Sequence, residues 1–341
     1  MLTAELEKIL SGSDLTEAEI GSALEKIAAG NENPAQIGAL LTALRMKGEA
    51  ESELAGAARM LRRKCRFIDH GTREVIDTCG TGGDRKSGTS TFNISTAAAF
   101  IAAGAGVCVA KHGNRSVSSR CGSADVLAEL GFNLDVDPEV MEDCIQEHGI
   151  GFLFAPKLHP VMGTVAPIRK ALGIRTIFNM LGPLINPAGA SAQLLGVYDA
   201  KLTELFAGVL AKLGVRRALV VHGHDGLDEI SCCAPTRISE LKDGVSVTYD
   251  LQPEMYIGRK YRPEEFAGGD AQENARIIRA VLSGEDRTAH RAISLLNGGA
   301  AILVAGQAKT LGEGIRKAEE SIDSGAAMHK LEQLIRSSRN D

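Results

Sequence analysis

Asp77-Thr78-Cys79-Gly80-Thr81-Gly82-Gly83-Asp84 places three glycines between two carboxylates, directly after the apolar pair Val75-Ile76. Glycine lets the main chain come close to a ligand, and successive amides can form a concavity suited to an anion. No Gly-Lys-Ser/Thr follows in register, so this is not a Walker A loop, and it is not a dinucleotide fingerprint either. Taken alone, the stretch is also compatible with a surface turn. Asn93-Ile94-Ser95-Thr96 then opens an Ala-rich run. As a helix start it would present free amides and partial positive charge to a phosphate, while Ser95 or Thr96 could equally cap the helix. Lys111-His112-Gly113-Asn114-Arg115-Ser116-Val117-Ser118-Ser119 concentrates two cations, an imidazole, an amide and three hydroxyls in nine positions. Lys111 suits a phosphate as a point charge. Asp228-Glu229, in a Gly-rich turn, offers hard oxygens of the kind that bind Mg²⁺ beside a substrate phosphate; paired carboxylates are also common on surfaces. Arg169 lies about ten residues after His159-Pro160 and could hold a carboxylate bidentately or simply face solvent beside Lys170.

The elements that must position these groups fall into two kinds. Residues 1 to about 70 read as helices only. Thr16 with Glu19 is a capping box, and Gly30 stops the helix that follows it. Asn33-Pro34 starts a second helix with Leu40, Leu41 and Leu44 on one face, ended by Gly48. Leu54, Ala57, Ala58 and Leu61 mark a third, over Glu51 to Arg63. After Glu74 the pattern changes to short apolar strands alternating with helices. Strands are expected at Val75-Ile76, Val107 to Ala110 and Ala218 to Val221; helices at Ser95 to Ala103, Ala124 to Leu130 and Leu202 to Leu213. This alternation implies a largely parallel sheet, with ligands at the strands' carboxyl ends. A hairpin segment is expected near Val245 to Tyr249. The remainder from Glu273 to Ile335 reads as mainly helical, with Ile302-Leu303-Val304 as an edge strand. The chain is therefore expected to be α/β, with a small N-terminal helical domain, residues 1–70, and a larger one, 71–341, around a mostly parallel sheet.

Length and composition agree. A chain of 341 residues with 44% hydrophobic content can bury at least one large core and is expected to hold two domains. The formal net charge of −5 argues against a nucleic-acid partner, which usually meets a basic surface. Seven cysteines, an odd number without zinc-knuckle spacing, read as reduced and cytoplasmic. The start lacks the basic and apolar regions of a signal peptide, and no apolar run is long enough to span a bilayer.

On Gly80-Thr81-Gly82-Gly83-Asp84, Phe92 to Thr96, Lys111 to Arg115 with Ser118-Ser119, His159-Pro160, Arg169, Asn179-Met180-Leu181-Gly182-Pro183-Leu184, Asn186-Pro187 and Asp228-Glu229, the chain resembles the anthranilate phosphoribosyltransferase family over nearly its whole length. The resemblance implies a nucleoside phosphorylase/phosphoribosyltransferase-like fold, with part of 165–190 joining the helical domain. It also implies transfer of the phosphoribosyl group of phosphoribosyl pyrophosphate (PRPP) to the amine of anthranilate, in tryptophan biosynthesis. PRPP would be held by Gly80, Gly83, Asp84, Thr91, Asn93, Ile94, Ser95, Thr96, the run Lys111, His112, Gly113, Asn114, Arg115, Ser116, Val117, Ser118, Ser119, and Ser123. Anthranilate would meet Gly80, Asn114, Arg169, His112, His159 and Pro183. Mg²⁺ would be bound by Ser95, Asp228 and Glu229. A cytoplasmic homodimer, formed through the helical domain, is implied; no membrane or nucleic-acid partner is. Two stretches depart from the family pattern: residues 85 to 90 lengthen the glycine loop, and Asn297-Gly298-Gly299, read as structural, replaces an Ala-rich run. The alternatives are a pyrimidine nucleoside phosphorylase-like enzyme, for which Lys-Met-Ser-Gly-Arg would be expected where this chain has Lys111 to Arg115, or a relative that uses another aromatic acceptor.

Overall fold

The computed structural model describes residues 1–82, 90–116 and 120–339. Four helices open the chain: α1 (Thr3–Leu10), α2 (Glu17–Ala28), α3 (Pro34–Lys47) and α4 (Glu51–Lys64). Their ends follow the local chemistry. Thr16 Oγ1 accepts from the Glu19 amide while the Glu19 carboxylate accepts from the Thr16 amide at 2.7 Å. Asn33 Oδ1 accepts from the Ala35 amide at 2.8 Å, and Gly48 ends α3 with φ of 90°.

The chain then winds a seven-stranded sheet. Its elements run β1 (Ile76–Asp77), α5 (Ile94–Gly104), β2 (Val109–Gly113), α6 (Ser123–Leu130), α7 (Pro138–His148), β3 (Ile150–Phe154), α8 (Ala155–Leu158), α9 (Pro160–Leu172), α10 (Phe178–Leu181), β4 (Ala192–Gly196), α11 (Leu202–Lys212), β5 (Arg217–Gly223), β6 (Thr236–Lys242), β7 (Val245–Leu251), α12 (Glu254–Ile257), α13 (Ala271–Leu282), α14 (Ala289–Val304), α15 (Leu311–Asp323) and α16 (Ala326–Arg339). The strand order is β3-β2-β1-β4-β5-β6-β7, parallel from β3 to β5 and antiparallel beyond. The chain builds outward from β1 to β3, returns, and builds outward from β4 on the other side. The order therefore reverses between β1 and β4, and open α/β sheets bind ligands at such a switch point.

Alternation along the strands assigns each face a core. Leu194, Leu219 and Val221 pack with α5, α13, α14 and the C-terminal helices, whereas Leu195, Ala218 and Val220 pack with Phe206 and Leu210 of α11 and on into the helical bundle. That second core also takes in Val165 of α9 and Ile177, Phe178 and Leu181 in and before α10, together with Leu40, Leu44 and Leu61.

Several expectations move. β2 begins at Val109 and carries Lys111, His112 and Gly113 within the strand rather than after it, because each pairs in register with β3. β3 and β4 were not anticipated. Ile302-Leu303-Val304 is not an edge strand: it is the last turn of α14, whose buried residues, running without a break from Leu296 to Ile302, lie on nearly every face of the helix. An apolar triplet cannot by itself distinguish a buried helix from a strand. The hairpin is longer than expected, with β7 the exposed edge. Among the described residues no helix is long and apolar enough to cross a membrane.

Candidate active site at the switch point of the sheet

Two glycines allow the loops after β1 and β4 to touch. A Cβ on Gly80 would stand 2.9 Å from the Gly196 carbonyl oxygen, and one on Gly196 would stand 1.6 Å from that of Asp228. The Thr81 amide donates to Gly196 O at 2.8 Å, and Thr81 Oγ1 accepts from the Tyr198 amide at 3.2 Å. The glycine loop, the end of β4 and the Asp228-Glu229 turn therefore meet. Both acids are half-buried. The Cys79 thiol is pushed up by burial first, then by Asp77, with Asp228 and Glu229 adding to the effect and Lys111 opposing it. One buried sulfur thus feels the acids from both loops and the cation from β2.

Lys111 is 4% exposed. Its ammonium donates to Thr78 O at 3.1 Å, Thr78 Oγ1 at 3.2 Å and Ser95 Oγ at 3.2 Å, and no carboxylate oxygen lies within 4.0 Å among the described residues. Ser95 sits in the first turn of α5, so the cation and the helix N-terminus present positive potential from the same place. Neither Ser95 nor Thr96 is the cap residue: Asn93 precedes α5, whose first residue, Ile94, has its side chain in the core and its amide donating to Phe92 O at 2.8 Å. Asn93 ties the helix start to neighbouring loops, donating to Cys121 O at 3.1 Å and accepting from Asn274 Nδ2 at 3.1 Å. Thr91 pairs with Ala267 in an isolated antiparallel bridge.

Beyond β2, Asn114 and Arg115 are exposed, and the Arg115 guanidinium lies 2.9 Å from Asp125, which also accepts from the Ser116 and Gly122 amides. Ser123 Oγ donates to Asn114 O at 3.4 Å, and a Cβ on Gly113 would collide with that hydroxyl. Gly83, Asp84, Val117, Ser118 and Ser119, and residues 85–89 of the lengthened loop, lie outside the described residues.

Asp77, given no role from sequence, knots these pieces together. Its carboxylate accepts from the His112 amide at 3.1 Å and from Asn186 Nδ2 at 2.7 Å, and Asn186 also donates to Ala110 O at 2.7 Å. Gln193 Nε2 donates to Pro183 O at 2.7 Å, fixing Pro183 against β4. Ligand atoms of Asp77, Cys79 and His112 lie within 4.8 Å of one another, but both Asp77 oxygens are already engaged, which marks a structural knot rather than a metal site. Burial holds the Asp77 carboxyl up at about 6, against the lowering effects of Lys111, Asn186 and the His112 amide.

His112 and His159 meet edge to face, ring centroids 5.0 Å apart. Burial pushes them down to about 3 and about 4, respectively. Gly182 O can only accept, so the 3.1 Å contact makes His112 Nδ1 the donor and leaves a lone pair on Nε2. That Nε2 and both His159 nitrogens are buried without a partner among the described residues. The half-buried Arg169 guanidinium lies 5.7 Å from the Phe178 ring centroid, is lowered by burial, and has no carboxylate partner among the described residues. Two neutral imidazoles in contact, and a half-buried guanidinium stacked near Phe178, are thus the groups that the sequence reading assigns to the acceptor.

The imidazoles fix a pH response. Unfolded chains protonate histidine near pH 6.5; these two cannot follow until about 4 and about 3. Stability is therefore held above pH 6.5 and lost as pH falls from there towards 4. Asp77 opposes, since its folded carboxyl takes up a proton below about 6, before its unfolded counterpart; two histidines outweigh one aspartate. Melting temperature measured from pH 7.5 to 4.5 should fall, and His159→Phe should make the fall shallower. An unchanged slope in that variant would remove His159 from this account.

The model of the glycosyl transferase family's helical bundle domain matches residues 5–65, and that of the family's a/b domain matches residues 72–328. The chain is 56% identical to an anthranilate phosphoribosyltransferase of Syntrophobacter fumaroxidans over 336 residues and 55% identical to one of Desulfosudis oleivorans over 335, in each case covering 98% of both chains. Among solved structures, the anthranilate phosphoribosyltransferase of Thermus thermophilus superposes with a TM-score of 0.91 at 41% identity, over 98% of this chain and 99% of that one. The Saccharomyces cerevisiae enzyme in complex with PRPP and Mg gives 0.90 at 32% identity, over 100% and 98%.

Proposed function

The chain belongs to the anthranilate phosphoribosyltransferase family, and from that membership we propose how its own residues carry the family's reaction. It is a glycosyltransferase of tryptophan biosynthesis: the phosphoribosyl group of PRPP passes to the amine of anthranilate, giving N-(5-phosphoribosyl)anthranilate and pyrophosphate. The phosphorylase alternative is set aside by relatives of 51–56% identity that share this activity's name.

The observation that carries the assignment of roles is the Lys111 ammonium, buried among neutral oxygens beside the first turn of α5. An anion placed there gains a fixed charge and helix amides already oriented, which is how a departing pyrophosphate is stabilised. The Gly80 loop, Asn93 to Thr96, and Lys111 to Ser119 with Thr91 and Ser123 form the PRPP side. Asp228, Glu229 and the Ser95 hydroxyl are hard oxygen donors that fit Mg²⁺. When bound, Mg²⁺ supplies Lewis-acid neutralisation of the pyrophosphate oxygens. On the other side Arg169 holds the anthranilate carboxylate, with Asn114, His112, His159, Pro183 and Gly80 around the ring. The C1–N bond forms as the bond from C1 to the pyrophosphate oxygen breaks. The aryl amine is neutral at pH 7, so no side chain has to deprotonate it before attack; the proton its nitrogen sheds once the C1–N bond has formed passes to the departing pyrophosphate or to water. Alignment of the two substrates between the domains provides much of the rate. We place the domain division near residue 70, with part of 165–190 packing on the bundle, and assign a homodimer through that bundle.

Purified protein should quench anthranilate fluorescence only when PRPP and Mg²⁺ are both present, and EDTA should stop it. Persistence of the fluorescence under these conditions would overturn the assignment. Arg169→Ala should raise the KM for anthranilate about 10–100-fold, the worth of hydrogen bonds to a charged group, and leave that for PRPP within about twofold. An equal rise in both constants would remove Arg169 from the acceptor site.

A further inference from the structure

Asn297 is fully buried in the middle of α14, among apolar side chains and far in sequence from any ligand motif. Its Oδ1 accepts from the Ile230 amide at 2.9 Å, and its Nδ2 donates to Ile230 O at 3.0 Å and to Ile293 O at 3.0 Å. The carboxamide therefore serves both main-chain groups of one residue, as a neighbouring strand would, and that residue directly follows Glu229. One position earlier, the Asp228 carbonyl rests on Gly196, where no side chain fits. The rest of the turn is closed by its own groups: Ser231 Oγ donates to Asp225 at 2.6 Å, and the Ser231 amide donates to Thr236 Oγ1 at 2.9 Å. Among the described residues, Asn297 is the side chain that reaches the main chain of Ile230 from another layer of the fold. An apolar side chain would fill the space in α14 but leave the Ile230 amide and carbonyl buried without partners.

We propose that Asn297 is a positioning residue for the Asp228-Glu229 pair, clamping the turn against β4 so that both carboxylates are held in one geometry before metal arrives. The inference rests on the reading of that pair as Mg²⁺ ligands. Residues behind metal ligands typically matter 10–100-fold in metal affinity. The test is titration with Mn²⁺ alone, followed by the electron paramagnetic resonance signal of the free ion. Asn297→Ala should raise the Mn²⁺ dissociation constant about 10–100-fold, raise the Mg²⁺ needed for half-maximal rate, and leave the anthranilate KM within about twofold. Ile293→Ala, in the same helix, should lower the melting temperature by a cavity effect and leave Mn²⁺ binding as in the parent. If Asn297→Ala does not fold, Asn297→Ser reads the same shift. Native Mn²⁺ affinity in the Asn297 variant, or an equal loss in Ile293→Ala, overturns the proposal, provided Asp228→Asn with Glu229→Gln weakens binding. If that double variant binds Mn²⁺ normally, the metal reading falls and the positioning role with it.

Discussion

Lys111→Met will lower kcat/KM for PRPP by about 10²–10³-fold, the loss typical when one preorganised electrostatic donor is removed. The reason is the peculiar neighbourhood of its ammonium: 4% exposed, hydrogen-bonded only to Thr78 O, Thr78 Oγ1 and Ser95 Oγ, and without a carboxylate within reach among the described residues. Such a charge is expensive to keep in the folded protein; the Asp77 carboxyl, beyond hydrogen-bond distance, offsets part of that cost, and an arriving anion offsets more. Methionine has a similar length and no charge, so the same substitution should leave the melting temperature within a few degrees of the parent. A variant with kcat/KM within about tenfold of the parent would show that the cation is not at the pyrophosphate.

Gly196→Ala should be the most damaging of the small substitutions. Its Cβ would stand 1.6 Å from the Asp228 carbonyl oxygen and 2.6 Å from its carbonyl carbon, and these are main-chain atoms that cannot rotate aside. Either the end of β4 or the acidic turn must shift, at about 1–3 kcal/mol for overpacking. A displacement near 1 Å in a catalytic loop lowers rate by about 10²-fold. The expected phenotype is a loss of that size in kcat/KM together with a raised Mg²⁺ requirement. Gly163→Ala in α9, where an added Cβ meets nothing within 4 Å and φ is not positive, is the matched control and should be silent. Parent-like activity in Gly196→Ala would mean that the turn can move without consequence for the carboxylates.

What could be read from sequence was local. Thr16 and Glu19 cap one helix and Asn33 another because the chemistry spans only two or three residues. The Lys111 and Asp228-Glu229 segments were legible as chemistry because polar residues of the right kind cluster in the chain. Their register was not: Val107 to Ala110 looked like the whole strand, yet pairing with β3 carries the ladder on to Gly113, since a buried polar end is satisfied by ligand-site partners that sequence does not display. The Ile302-Leu303-Val304 run misled because burial on all sides erases periodicity. The contacts that assemble the site, Gly80 with Gly196, Asp77 with Asn186, and Asn297 with Ile230, join positions 67 to 116 residues apart, and nothing in the composition of either partner announces the other. A glycine after the apolar pair Leu194-Leu195 and an asparagine inside an apolar run were the available signals.

The sharing of one core by the helical bundle and the α9–α10 excursion has a consequence for biosynthesis. Leu40, Leu44 and Leu61 bury their side chains against Val165, Ile177 and Phe178, so the first four helices leave the ribosome with part of their apolar surface uncovered. About 120 further residues must be added before the missing wall arrives, which at about 5–20 residues per second is on the order of ten seconds. Until then that apolar face has no partner within the chain, so completion of the bundle's core waits on translation of the sheet's first three strands and of α9 and α10.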